Sequence, residues 1–115
     1  MALLNPSKVQ EVSGLNDEQK QRMYDFLQGA IYSWCKNREN EWFSVQALMG
    51  GKNTDWTGTP LEQVYLKHLE SGSEDPEGAA GRDAGWLLKI VLDADDRVFE
   101  HRDGFQRKEY RWVQS

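Results

Sequence analysis

Residues 84–113 run Ala-Gly-Trp-Leu-Leu-Lys-Ile-Val-Leu-Asp-Ala-Asp-Asp-Arg-Val-Phe-Glu-His-Arg-Asp-Gly-Phe-Gln-Arg-Lys-Glu-Tyr-Arg-Trp-Val, and no other stretch constrains the fold as much. An apolar amphipathic run, an acidic turn and two strand-like runs around Asp103-Gly104 predict a helix followed by a β-hairpin. Asp-Gly is a strong hairpin signal because a two-residue turn of the favoured hand needs positive φ. Residues 88–92 would also serve as a buried strand, which would make 84–113 a three-stranded antiparallel meander with helices packed on it. Trp86, Leu87, Leu88 and Leu92 are not β-branched, and this favours the helix. The expected class is therefore α+β, with three to four helices and a C-terminal two-stranded β-hairpin.

The upstream residues read as helices that cover one face of this unit. Residues 1–15, with Pro6 and Gly14 and no clear period, form a flexible N-terminal arm, and 16–115 a single domain. Asn16 is an N-cap, with Asp17 and Glu18 behind it and Gln19 completing a capping box. The helix it starts runs to about Asn37 and places Met23, Phe26, Leu27, Ala30, Ile31, Trp34 and Cys35 on one face. Gly29 in its middle suggests close packing, because it lowers helix propensity by up to about 1 kcal/mol relative to Ala. Ser44 caps a short helix with Val45, Leu48 and Met49 on its apolar side, and Gly50-Gly51 stops it. Thr59-Pro60-Leu61-Glu62 reads as cap, first-turn proline and capping-box glutamate. The helix it opens aligns Leu61, Val64, Tyr65, His68 and Leu69. Residues 70–82, rich in Gly, Ser and acid, read as a mobile loop, with Asp83 capping the helix that follows.

At 115 residues the chain is long enough for one core without covalent staples. Its single cysteine, Cys35, excludes an intramolecular disulfide and a multi-cysteine metal site, and no cofactor is implied. No apolar run approaches the roughly 20 residues that span a bilayer, and Met-Ala-Leu-Leu-Asn-Pro is not a secretory signal. A cytoplasmic protein with no membrane partner is expected. The net charge of −5 sits in residues 1–83, with 8 basic against 13 acidic side chains, whereas 84–115 balances 6 against 6. Such an acidic body argues against non-specific nucleic-acid binding, in which phosphate neutralisation supplies nearly all the affinity.

The C-terminal third resembles the end of small winged-helix repressors of the arsenic-repressor type. The residues that carry the resemblance are the apolar helix around Leu88, the short strand Val98-Phe99-Glu100-His101, the turn Arg102-Asp103-Gly104, the basic pair Arg107-Lys108, and Tyr110-Arg111-Trp112. The resemblance implies a small non-enzymatic module that binds DNA, with dimerisation an expected property. In it the hairpin would contact phosphates through Arg97, Arg102, Arg107, Lys108 and Arg111. Two features depart from that pattern. The stretch before Asp83 is longer than the 3–4 residues that join a helix-turn-helix. The helix that would enter a groove offers Arg82, Asp83, Gly85 and Lys89, not the Arg, Asn and Gln that pair with base edges.

The alternative is a protein–protein interaction adaptor with an aromatic surface around Trp42 and Trp56. Both stand beside polar loops, whereas Trp34, Trp86 and Trp112 lie on apolar faces and belong to the core. Aromatic residues beside a groove are what binding hot spots are made of. Asp93-Ala-Asp-Asp lacks the EF-hand glycine and twelfth-position glutamate, so it reads as an acidic turn. Gly50-Gly-Lys-Asn-Thr lacks the first glycine of a phosphate loop and the Ser/Thr after the lysine. Cys35 on an apolar face, with His68 and His101 elsewhere, gives no catalytic constellation.

Overall fold

The computed structural model describes residues 11–51, 55–104 and 108–113. Four helices precede an antiparallel hairpin: α1 (Asp17–Asn37), α2 (Val45–Leu48), α3 (Glu62–Glu70), α4 (Pro76–Ala94), β1 (Phe99–Asp103) and β2 (Lys108–Trp112). The class is α+β, and residues 86–92 are helical. The three-stranded meander is not formed.

α1 begins as its sequence dictates. The Asn16 side chain accepts from the Gln19 amide at 2.7 Å, and the Gln19 side chain accepts from the Asn16 amide at 3.0 Å. Met23, Leu27, Ile31 and Cys35 recur every fourth residue and are buried. Gly29 is on the exposed side, and a Cβ built there meets nothing within 4 Å. The close packing expected at this glycine is absent.

Phe43 follows α1 and joins the hairpin. Its amide donates to the Tyr110 carbonyl at 2.8 Å, and the Tyr110 amide donates back at 2.7 Å. This isolated bridge lays Phe43 alongside β2, opposite β1. The Phe43 ring is 1% exposed and lies 5.8–6.1 Å from the rings of Trp34, Phe99 and Tyr110. The α1 face and the inner hairpin face therefore meet on one side chain. The core continues through Leu61 and Val64 of the α3 segment and Ala84, Leu87, Leu88 and Leu92 of α4.

Several local readings are corrected. The N-cap position of α3 is Leu61, which makes no side-chain cap. Thr59 donates its hydroxyl to the Trp56 carbonyl at 2.8 Å, so it closes the preceding turn and leaves Pro60 outside the helix. Leu69, expected on the apolar stripe, is exposed. The loop read over 70–82 shrinks to residues 71–75. α3 ends in a Schellman turn at Gly72 (φ 79°), where the Ser73 amide reaches the His68 carbonyl. α4 starts at once, with the Asp75 side chain accepting from the Gly78 amide at 3.0 Å and Pro76 in the first turn, where its missing N–H goes unneeded. Asp83 therefore lies inside α4 and caps nothing. Its carboxylate accepts from His68 Nε2 at 2.6 Å and Lys67 Nζ at 2.8 Å, tying α3 to α4. Lys67 Nζ also donates to the Ser13 carbonyl. The described end of the expected flexible arm is thus docked, with Val12 in the core.

The hairpin register pairs Phe99 with Trp112 and Asp103 with Lys108. Four residues, 104–107, connect the strands, not the two-residue Asp-Gly turn. Neither Asp103 nor Gly104 has positive φ. Gly104 leaves room for the Glu109 side chain, whose carboxylate would stand 2.7 Å from a Cβ at this position and would have to shift.

Gly29→Ala should stabilise the protein by about 0.5–1 kcal/mol, since it adds helix propensity without a clash; urea unfolding followed by circular dichroism measures this. Burial pushes the Tyr110 phenol up to about 12, above its ordinary value near 10. A raised folded-state value means that this stability is complete below about pH 10 and is lost as pH rises through about 12. The stability of Tyr110→Phe relative to wild type should therefore rise over that window in alkaline unfolding.

Candidate functional site

Strand alternation sorts the hairpin side chains. Phe99, His101, Tyr110 and Trp112 share the inner face, and Glu100, Arg102, Glu109 and Arg111 share the outer one. Trp42, next to Phe43 in the bridge, stands on the outer face. Its ring lies 4.0 Å from the Arg102 guanidinium and 4.6 Å from that of Arg111. The same two arginines are ion-paired across the strands, Arg102 to Glu109 at 2.8 Å and Arg111 to Glu100 at 2.6 Å. Lys108 is 3.7 Å from Asp103. Each of these surface pairs is worth no more than about 1 kcal/mol, and their formal charges cancel.

Arg97 is placed differently. It precedes β1, and its side chain donates to Asp95 at 2.8 Å and lies over the rings of Tyr32 and Trp112. Asp95, 5% exposed, also accepts from Gln28 at 2.8 Å and from the Arg97 amide. This cluster fastens the base of the hairpin to α1. Arg107 lies outside the described residues. Of the five cations expected to track phosphates, the four described ones are each held by a carboxylate. Lys89 of α4 is 7% exposed, packed over Trp86 and beside Lys108; burial and that neighbouring charge lower its pKa.

Trp56 lines a groove that does not include Trp42. The groove has a volume of about 830 Å³ and is lined by Gln46 of α2, by Gly51, by residues 55–57, by α3 and by the start of α4. Such a volume lies within the roughly 300–1,000 Å³ of ligand sites. Gly78, Ala80 and Gly81 leave one wall flat, while Trp56 and Tyr65 supply aromatic surface. Four carboxylates line it, Asp55, Glu62, Asp75 and Glu77, and no Lys, Arg or His does so among the described residues. Asp55 is held below the usual carboxylate range by hydrogen bonding from Thr57. Asp75 is occupied as the helix cap. The Glu62 and Glu77 side chains make no hydrogen bond or ion pair among the described residues.

Two of these carboxylates, Asp75 and Glu77, fall in the stretch 70–82 whose composition reads as loop, so the sequence does not bring them to a groove wall. Their signal was Asp75-Pro-Glu77, an N-cap, a first-turn proline and an acid, which sets both carboxylates at a helix start. The groups suited to catalysis stay apart. Cys35 is buried, and burial pushes its thiol up. His68 is engaged by Asp83. Among the described residues no group of three His, Cys, Asp or Glu side chains could hold a metal ion, and no helix is long and apolar enough to cross a membrane. Comparison with protein-family models, with curated proteins and with solved structures finds no match.

Asp95→Ala should cost about 2 kcal/mol, because it strands the largely buried Arg97 and removes charge-assisted hydrogen bonds. Thermal unfolding measures the loss, and Arg97→Lys should recover less than half of the stability that Arg97→Ala loses, since an ammonium cannot reproduce the stacked planar fork.

Proposed function

We propose that the protein is a non-enzymatic, winged-helix-like binding module whose ligand is a segment of another protein. The element order supports the architecture: a helix, a bridging strand residue, helices joined by residues 71–75, and a hairpin. The connection between α3 and α4 is five residues, close to the roughly 3–4 of a helix-turn-helix, and so supports the reading better than the longer stretch expected from the sequence.

One observation carries the choice of ligand. In this architecture α4 would be the groove-entering helix and the hairpin the wing. The start of α4 instead joins α3 in an acidic, aromatic cavity where Glu62 and Glu77 are unpaired among the described residues, while every described hairpin cation is paired. A duplex approaching there would bring phosphates towards Asp75 and Glu77, the reverse of the charge that phosphate binding needs. Trp56 and Tyr65 provide the amphipathic rings that dominate protein interfaces.

The second reading is a DNA-binding regulator with the hairpin on the phosphate backbone. The observation in its favour is that Arg102 and Arg111 share one exposed face, flanking Trp42. One paired experiment decides between the two. Wild type is titrated with random duplex DNA at two salt concentrations and is separately panned against a displayed random-peptide library. The expected result is no salt-sensitive DNA binding, and selected peptides whose binding is lost with Trp56→Ala but kept with Trp42→Ala. DNA binding that weakens with salt and vanishes in Arg102→Glu/Lys108→Glu/Arg111→Glu would replace the proposal with the regulator.

A further inference from the structure

Resting on the reading of a protein-binding module, we infer that the groove between α3 and α4 takes a cationic segment of the partner, with arginine or lysine side chains met by Glu62 and by Glu77 beside Trp56 and Tyr65. Three features of the groove support this occupant. Its described lining carries four carboxylates and no cation, so the described residues give it a negative potential. Asp55 and Asp75 already accept backbone hydrogen bonds, whereas the side chains of Glu62 and Glu77 are left to meet a donor. The remaining surface suits the rest of a basic side chain. Leu66 and Ala80 offer apolar contact to its methylene stem, and the rings of Trp56 and Tyr65 offer faces to its charged end.

The groove is partly open to solvent and is lined by residues of α2, α3 and α4 and of the stretch between α2 and α3. A segment of polypeptide laid across it would keep one side wet, as an open groove requires. A small amine would leave most of the volume empty.

The hairpin provides an internal contrast. There each described arginine already has both a carboxylate and an aromatic ring of this chain: Arg97 has Asp95 and Tyr32, Arg102 has Glu109 and Trp42, and Arg111 has Glu100 and Trp42. The groove presents the same acceptor set, carboxylates beside aromatic rings, with no cation of its own in place among the described residues.

Fluorescence polarisation with a labelled arginine–glycine peptide, its glutamate–glycine counterpart and a neutral apolar peptide tests the inference on the full chain. Binding should be confined to the basic peptide and should weaken with salt. Glu62→Gln/Glu77→Gln, which keeps shape and removes charge, should weaken it at least about tenfold, the equivalent of one charge-assisted hydrogen bond. Trp56→Ala should weaken it roughly three- to fivefold, as the loss of a cation–π contact does. Glu39→Gln/Asp96→Asn removes the same charge outside the groove and should leave affinity within about twofold, the range of weak surface electrostatics. Thermal unfolding of each variant confirms that it folds.

Equal losses in both double variants would overturn the inference in favour of diffuse attraction to an acidic protein. Displacement of the peptide by spermidine at equal affinity would overturn it in favour of a small polyamine. Preference for the apolar peptide, still dependent on Trp56, would overturn the cationic occupant and leave the protein-binding module standing. Binding of none of the three peptides, together with no Trp56-dependent peptide from the displayed library, would remove both.

Discussion

The paired hydrogen bonds between Phe43 and Tyr110 connect the two halves of this molecule. α1 buries a narrow stripe at every fourth residue, and the hairpin buries alternate residues of two five-residue strands. A lone hairpin of this length is marginal in water, and its inner face needs a partner. Phe43 supplies one by adding a third strand segment beside β2 and by placing a ring among Trp34, Phe99 and Tyr110. Its neighbour Trp42 is thereby sent to the opposite face, where Arg102 and Arg111 enclose it. This bridge and the Asp95 cluster at the hairpin base thus hold the hairpin on α1, and the bridge arranges the outer surface.

α4 is the second constraint. Its buried side is small at the start, with Ala79, Ala80 and Ala84, and large afterwards, with Leu87, Leu88, Val91 and Leu92. The small residues let α3 approach, and Lys67 and His68 converge on Asp83 to hold the pair. The groove stands beside this close contact. Where α4 presents Gly78 and Gly81 there is no side chain to fill the space towards Trp56. Gly78 leaves room there for the capping carboxylate of Asp75, which would have to shift if a Cβ stood at this position. The residue that permits the cap also keeps the wall of the groove flat.

The sequence was legible where a signal was local and redundant. The Asn16–Gln19 capping box, the buried stripe of α1, the Ser44 cap and the alternation of the hairpin all combine a backbone requirement with a residue that meets it. Legibility failed where composition and signature disagreed. Residues 70–82 hold several glycines and serines, yet Asp75-Pro-Glu77 starts a helix, and burial of Ala79 and Ala80 against α3 makes up for the poor propensity of Gly78 and Gly81. Thr59-Pro60 failed in the opposite sense, because a local turn back to the Trp56 carbonyl took the hydroxyl that would have capped α3. The candidate site was half visible. Trp56 was singled out for standing beside a polar loop, but its neighbours come from helices whose packing no local pattern encodes. Trp42 was grouped with it by chemistry, and strand alternation places Trp42 on the hairpin.

Architecture and charge point in different directions in this molecule, and charge has the shorter chain of inference to a ligand. A helix pair followed by a hairpin can be used against a duplex, but the fold itself does not fix the ligand. Phosphate binding requires cations free to exchange counterions for phosphate oxygens. The described hairpin arginines would have to give up carboxylates and aromatic contacts that they already hold. A basic peptide entering the groove asks for no such exchange, because Glu62 and Glu77 have nothing to give up among the described residues. The desolvation of an arriving arginine would be offset by a second carboxylate and an aromatic face, the same combination that this chain uses three times for its own arginines. On the proposed reading, the surface at the start of α4 would recognise a partner by its cations and not a duplex by its phosphates.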